Sequence, residues 1–391
     1  MRRHLTFVQF GDYREAYTRL TSGGPENYVA QRYSVDFVTE LAKSIAVSVV
    51  CLPAPLHDEP LPNGVRSIGL SFPKRGVALD LVRTLDRLDP TDVILATPNK
   101  AALGWALAKR RRVLPLLADS FNARRPRQVL SSHLVARLLS STSIEVVANH
   151  NVPASIDLVR LGVPAQKVVP WDWPSQSSPR ERSPKRAPPA GQPWTVMYVG
   201  MIAEAKGVGD AIEAMGILRA RGVAIQLSIG GSGGEIEAMK AKVASLGVGD
   251  VVTFLGRIPN REVIAHMTRH DLVLVPSRHA YPEGLPMTIY EGLSSRSPLV
   301  VSDHPMFGRV LRHGETAIVF PEARPESLAD ALLALVRDPA LYERLSARAE
   351  ATWDAIQCPV KWDDLITRWL RNAPDDRAYF AEQSVGGRGL A

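Results

Sequence analysis

The stretch TVMYVGMIAEAKGVGDAIEAMGILRARGVAIQLSIGG, residues 195–231, decides the fold. It opens on TVMYVG, a short apolar run that reads as a buried strand. A polar loop follows, and then GDAIEAMGILRARG, in which Ile212, Met215, Ile217 and Leu218 fall near one face of a helix. A second apolar run, AIQLSIGG, closes the unit. Strand, helix and strand in that order make a βαβ crossover, which implies parallel strands.

The same alternation continues downstream. A helical stretch over 235–246 precedes VVTFLG, and NREVIAHMTRH reads as a helix with Asn260 as its N-cap. LVLVPS, a helix from about residue 286, PLVVSD and AIVF complete the series. The implied architecture is α/β, a parallel sheet covered on both faces. Such sheets bind ligands beyond the carboxyl ends of their strands. The loops GMIAEAKG, GGSGG, GRIPN, SRHAYPEG and SDHPMFG are therefore expected at one edge. The first half is less regular but similar, with HLTFVQF, AVSVVCL, DVILAT, VLPLLA and IEVVAN as strands. Pro25 and Glu26, after the glycine pair Gly23–Gly24, fit the first turn of a helix.

Between the halves, WPSQSSPRERSPKRAPPAGQPW (173–194) is rich in Pro, Ser and Arg and lacks apolar periodicity. It reads as a linker. The expected organisation is a domain over 1–172, this linker, a second domain over 195–358, and a terminal segment over 359–391. In that last segment PVKWDDLITRWLR is an amphipathic helix, with Trp362, Leu365, Ile366 and Trp369 on one face. The final dozen or so residues read as a flexible tail.

With 391 residues, 45% hydrophobic and 22% charged, the chain has the profile of a globular protein with sizeable cores. Its apolar runs fall short of the roughly 20 residues that a membrane helix needs. The apolar run in MRRHLTFVQFG breaks at Gln9, too soon for a signal-peptide core, and reads as the first buried strand. The two cysteines, Cys51 and Cys358, have no metal-ligand spacing and are expected as free buried thiols in a reducing cytosol. The net charge of +7 is concentrated in the first half, densest at KRRR (109–112) and ARRPR (123–127). A solvated surface is the plain reading. Attraction to a phosphate-bearing acceptor or to an anionic membrane surface is the functional one. No nucleic-acid reader motif accompanies the charge.

The segment YPEGLPMTIYEGL (281–293) brackets a Gly-Leu-Pro-Met run with Glu283 and Glu291. Pro286 fits a helix start, leaving the amides of Gly284, Leu285 and Met287 unpaired at a helix N-terminus, which attracts phosphate. Two carboxylates there suit sugar hydroxyls, because a carboxylate accepts a bidentate pair of hydrogen bonds from a diol. Lys206, in the loop after the first strand of its domain, can neutralise a diphosphate. Gly230 and Gly231 permit close backbone approach. The layout suits a nucleotide-diphosphate sugar.

The second half resembles the donor-binding domain of the retaining glycosyltransferases of family 4, which have the two-domain GT-B fold. The resemblance runs from YVGMIAEAKGV through VVTFLGRIP, LVLVPS, EGLPMTIYEGL and VVSDHP to HGETAIVF, and EGLPMTIYE matches the family's Glu-x7-Glu motif. It implies two Rossmann-like domains facing across a cleft, with a terminal helix that crosses back to the first. It implies catalytic roles for Lys206 and Glu283, with Glu291 on the ribose. Gly200, Gly230, Gly231, Ile258, Gly284, Leu285, Pro286, Met287 and Thr288 would complete the donor site. Gly23 and Gly24 would close over the donor from the other domain. Met201 stands where the family carries an arginine, and Arg278 or Arg309 is the substitute at hand. The family's acceptor-side histidine has no clear match, and Asp119 and His150 are the candidates.

The expected activity is metal-independent transfer of a sugar, with retention, to a hydroxyl acceptor in surface polysaccharide or glycolipid assembly. No cofactor and no metal are expected. The expected partners are a nucleotide-sugar donor, a sugar or lipid-linked acceptor and an anionic membrane surface, but not nucleic acid. The expected place is the cytoplasm, at the inner face of the membrane. Two alternatives remain open: a nucleotide-sugar epimerase or phosphorylase on a similar fold, and a non-catalytic nucleotide-sugar binder.

Overall fold

A computed structural model describes residues 3–27, 29–71, 77–118, 120–121 and 126–390. They form two compact units, Met1–Pro174 with Cys358–Ala391, and Ser175–Gln357.

The first unit holds β1 (His4–Phe10), β2 (Ala46–Leu52), β3 (His57–Pro60), β4 (Arg66–Gly69), β5 (Asp92–Leu95), β6 (Arg112–Leu117), β7 (Val147–His150) and β8 (Val168–Asp172). The second holds β9 (Trp194–Val199), β10 (Ile225–Gly230), β11 (Val252–Gly256), β12 (Leu272–Val275), β13 (Leu299–Ser302) and β14 (Ile318–Phe320). β15 (Val360–Lys361) returns to the first unit and pairs with β8. The first sheet runs β15-β8-β7-β6-β5-β1-β2-β4-β3, and the second β11-β10-β9-β12-β13-β14. Every pairing is parallel except β3 with β4. The β3–β4 hairpin and β8 are strands that apolar runs did not announce; β3 (HDEP) is exposed and carries no apolar alternation.

Each sheet starts in its middle. In the second unit the chain leaves β9 to one side, through β10 and β11, then crosses to β12 on the other. In the first it leaves β1 toward β2, then crosses to β5. The gaps between β9 and β12 and between β1 and β5 are topological switch points, where loops diverge and leave a crevice at the carboxyl edge.

The cores follow the sequence pattern. Ile212, Met215 and Leu218 are buried under the second sheet, with Ile217 only partly covered. Trp362, Leu365, Ile366 and Trp369, on the helix Trp362–Arg371, are buried in the first unit against Phe7, Val169 and Trp171. Both cysteines are free and buried.

Four expectations need correction. The linker is packed on the second unit from Ser175 onward. Lys185 Nζ donates to the carbonyls of Met267 and Thr268 (3.2 and 2.8 Å) and to Ser297 Oγ (2.6 Å). Arg296 Nε donates to Pro179 O at 2.8 Å. Polar anchors hold what apolar periodicity does not mark. The tail is also ordered. A helix spans Pro374–Gln383, Val385 is fully buried, and its amide donates to Val168 O at 2.8 Å. The helix after Gly23–Gly24 begins at Gln31 rather than Pro25, and Glu26 instead accepts from Arg32 N at 2.7 Å. Asn260 lies inside its helix, whose N-cap is Pro259, and its side chain turns to Glu291.

Candidate functional site

At the switch point of the second unit, the loop after β9 and the loop after β12 are pressed together. Gly207 sits at φ +72°, and a Cβ there would lie 2.1 Å from Pro276 O. Only glycine permits that approach. Arg278 N donates to Ala205 O at 2.9 Å. The Arg278 guanidinium grips Asp210 (2.9 and 2.6 Å) and Glu204 (2.6 Å). Its side chain is thereby committed to holding the two loops in register. It is not the replacement for the arginine absent at Met201, which is 44% exposed.

The register brings Lys206 to Glu283. Lys206 Nζ forms an ion pair with Glu283 Oε1 and lies 4.1 Å from the centroid of the Tyr281 ring. Ser277 Oγ donates to the same carboxylate oxygen at 2.7 Å. Both partners are largely buried. A cation and an anion at this depth satisfy each other and present one neutral, hydrogen-bonding wall.

The helix Met287–Ser294 begins just beyond, with Pro286 as N-cap and no side chain bonded to its first-turn amides. Thr288 Oγ1 donates to Val199 O at 3.3 Å and ties this N-terminus to the end of β9. Leu285 is buried and anchors the turn, while Gly284 and Met287 are partly exposed. A helix start with uncapped amides is an anion site. Glu291 follows about one turn further in. It accepts from Asn260 Nδ2 at 3.4 Å, and burial pushes its carboxyl up to about 7.

The glycines form the floor. Gly200 N donates to Gly230 O at 3.0 Å. Gly231 has φ +142°, and a Cβ on it would lie 1.8 Å from Gly200 O. Ile258 covers Gly230 so closely that a Cβ there would sit 2.4 Å from Ile258 Cδ1. Lys206, Glu283, Glu291, residues 284–288, Gly200, Gly230, Gly231 and Ile258 thus all belong to one edge of one sheet. Sequence reasoning missed Tyr281 and Ser277 as partners of the Lys206–Glu283 pair. It also missed His279, which bridges Asp303 and Glu322 at 2.9 Å each. Nothing in the spacing of SRHAYPEG announces those pairings.

In the first unit, Gly23 and Gly24 finish the helix Tyr13–Thr21. Their amides donate to Leu20 O and Arg19 O (3.2 and 2.8 Å), a local reason for the pair. His150, at the end of β7, is buried with Nε2 3.1 Å from Asp172 Oδ1. Asp119 lies outside the described residues.

Residues 179–352 match the model of the family described as glycosyl transferases group 1. Among curated proteins, the chain is 35% identical over 154 residues to alpha-D-kanosaminyltransferase of Streptomyces kanamyceticus, covering 39% of each. It is 24% identical over 328 residues to the GDP-mannose-dependent alpha-(1-6)-phosphatidylinositol monomannoside mannosyltransferase of Mycobacterium tuberculosis, covering 82% of this chain and 80% of that one. The chain spans less than half the length of the first curated relatives it matches. Among solved structures, sucrose-phosphate synthase from Thermosynechococcus elongatus superposes with a TM-score of 0.69 at 16% identity, over 95% of this chain and 98% of that one. Anabaena Alr3699/HepE in complex with UDP-glucose does so with a TM-score of 0.65 at 13% identity, over 97% and 98%. The fold is the GT-B fold of these glycosyltransferases.

Proposed function

From the match of residues 179–352 to the glycosyl transferases group 1 model we propose that the protein moves a sugar from a nucleotide-diphosphate donor to a hydroxyl acceptor, retaining the anomeric configuration and using no metal. The observation that carries this reading is the meeting of Lys206, Glu283 and the uncapped helix Met287–Ser294 at one switch point. The UDP-glucose named for the HepE structure is a donor of the expected kind.

In the reaction, the acceptor oxygen bonds to the anomeric carbon as the carbon–oxygen bond to the diphosphate breaks. The acceptor proton passes to the departing phosphate oxygen on the same face, so the products are a glycoside and a nucleoside diphosphate. The barrier lies in the charge that builds on the leaving phosphate. Donors preorganised toward that charge lower it. Lys206 and the amides of Gly284, Leu285 and Met287 take that role. Glu283 holds sugar hydroxyls, and Glu291 holds the ribose diol. His150, in the first unit, belongs to the acceptor side.

The product class is a surface polysaccharide or glycolipid. No helix of the described residues is long and apolar enough to cross a membrane, and the basic first half would hold the protein at an anionic surface. The test is a thermal-shift screen of nucleotide sugars followed by a transfer assay with the donor that stabilises most, since a donor at 100 times its Kd adds about 2.7 kcal/mol. Stabilisation with transfer supports the reading. Donor isomerisation or phosphate-dependent cleavage in place of transfer overturns it.

One observation favours a second reading. Met201 leaves the loop after β9 without its arginine, and Arg278 is spent on Asp210 and Glu204. A donor binder that does not transfer would show stabilisation by nucleotide sugars and no product from any acceptor pool.

A further inference from the structure

The first unit contains a cavity of about 420 Å³ at its own switch point. It opens where the chain leaves β1 at Phe10–Asp12 and β5 at Ala96, and its far wall is formed by His150 and Trp171. That volume lies in the range of small-molecule sites.

Its chemistry is aromatic. Trp173 and Trp362 stack at 5.2 Å and 29°, and Trp171 meets Trp173 edge-on at 5.2 Å. Phe7 closes the wall from β1. Phe10 also lines the cavity and is 74% exposed.

Its polar lining is sparse and mostly engaged. Asp12 caps the helix Tyr13–Thr21 by accepting from Glu15 N at 3.2 Å. Gln31 accepts from Arg19 and from Asn27 N (2.9 and 3.0 Å). Trp171 Nε1 donates to Leu117 O at 3.0 Å. His150 is held by Asp172 and tilted against Trp171, with ring centroids 5.1 Å apart. Gln9 differs: it is half-buried, it lines the cavity, and its amide makes no hydrogen bond to another described residue. A site for a bare sugar needs several convergent hydrogen-bonding groups. This one offers ring faces and, among the described residues, one amide bonded at neither end, since Gln31 is engaged through its oxygen.

We propose that this cavity binds an uncharged, ring-bearing apolar group that carries a hydroxyl, with the ring among Trp171, Trp173, Trp362 and Phe7 and the hydroxyl on Gln9. Resting on the glycosyl-transfer reading, this group is the apolar part of the acceptor. Aromatic walls favour flat rings through stacking beyond simple area burial. The Asp12 carboxylate in the lining disfavours an anion there, so the basic surface serves other parts of the acceptor or the membrane.

The experiment is calorimetric titration of the full chain with 2-naphthol, naphthalene-2-sulfonate, 1-octanol and methyl α-glucoside. The expected result is saturable one-to-one binding of 2-naphthol, at least tenfold weaker binding of the sulfonate and the alcohol, and none of the glucoside. Ala96→Trp, which fills the cavity, abolishes 2-naphthol binding. Gln9→Ala, a milder change, weakens it about fivefold, the worth of one hydrogen bond. Preference for the glucoside, equal binding of octanol, or 2-naphthol binding untouched by both variants overturns the proposal. Titration with UDP and GDP separates the two readings. Nucleotide binding without 2-naphthol binding sinks the ligand class and leaves the donor site standing. The reverse result sinks the donor reading and keeps the ligand class.

Discussion

Lys206 and Glu283 form an ion pair at the proposed donor site, and that pairing governs what each substitution does. Removing Lys206 takes away the ammonium that would meet the leaving phosphate and leaves Glu283 with Ser277 alone. Lys206→Ala is expected to lower kcat by about 10²–10³ and also to lower the melting temperature, because a largely buried carboxylate loses its cation and keeps only one serine partner. Near-wild-type turnover with the correct donor would remove Lys206 from the mechanism. Glu291 makes a different prediction. Burial holds its carboxyl near 7, so around pH 6 the folded protein carries it protonated. Ribose hydroxyls donate to the ionised form, so donor binding at pH 6 should release a proton. Titrations in buffers of different ionisation enthalpy read that release directly, and Glu291→Gln should abolish it. The same shift affects stability. The folded pKa is raised, so the unfolded chain ionises first, and stability is lost as pH rises from about 4.5 to about 7 and is level above that. Glu291→Gln should flatten the melting temperature over that window.

At the scale of elements, the segment after Ser175 behaves as a strap. Its anchors are Lys185, whose ammonium meets the C-terminal carbonyls of the helix Asn260–Arg269, and Arg296, which reaches back to Pro179 O and to Glu350 at 2.5 Å. Ser346 Oγ ties both sides, accepting from Lys185 N and donating to Arg296 O (2.7 Å each). Lys185→Met should take the ammonium from Thr268 O and Ser297 Oγ, leave Met267 O with Ser297 and His270 as its donors, and destabilise the second unit by about 1–3 kcal/mol, read as a lowered urea midpoint with donor affinity unchanged in the folded protein. No reading of WPSQSSPRERSPKRAPPAGQPW as composition reveals this, because the strap's partners lie roughly 80–160 residues away in the chain. Crossover units were legible for the opposite reason. A strand and a helix each bury a periodic face against the nearest sheet, and that periodicity is local.

At the scale of the whole molecule, the two units are unequal in sequence. The second is continuous, Ser175–Gln357, whereas the first needs Cys358–Ala391 to complete its sheet edge and cover Trp171. Residues 175–357 alone should fold and keep the nucleotide binding proposed for the whole chain. Residues 1–174 alone should lose cooperative melting, since the helix Trp362–Arg371 supplies Trp362, Leu365, Ile366 and Trp369 to their core. Full cooperativity in the 1–174 fragment would overturn that dependence. The terminal helix was legible from its amphipathic stripe. The docking of Val385 beyond it was not, since one apolar residue among glycines has no period.

By itself, the sequence determined the α/β class, the parallel sheets and the edge that carries the loops, because apolar period and chain order settle strand direction and which loops share an edge. Only the tertiary structure decided that Lys206 pairs with Glu283, that Arg278 serves a structural clamp, that Glu291 lies deep enough to hold its proton, and that an aromatic cavity occupies the first unit. Those outcomes depend on distances and desolvation between groups far apart in the chain, which no local pattern encodes.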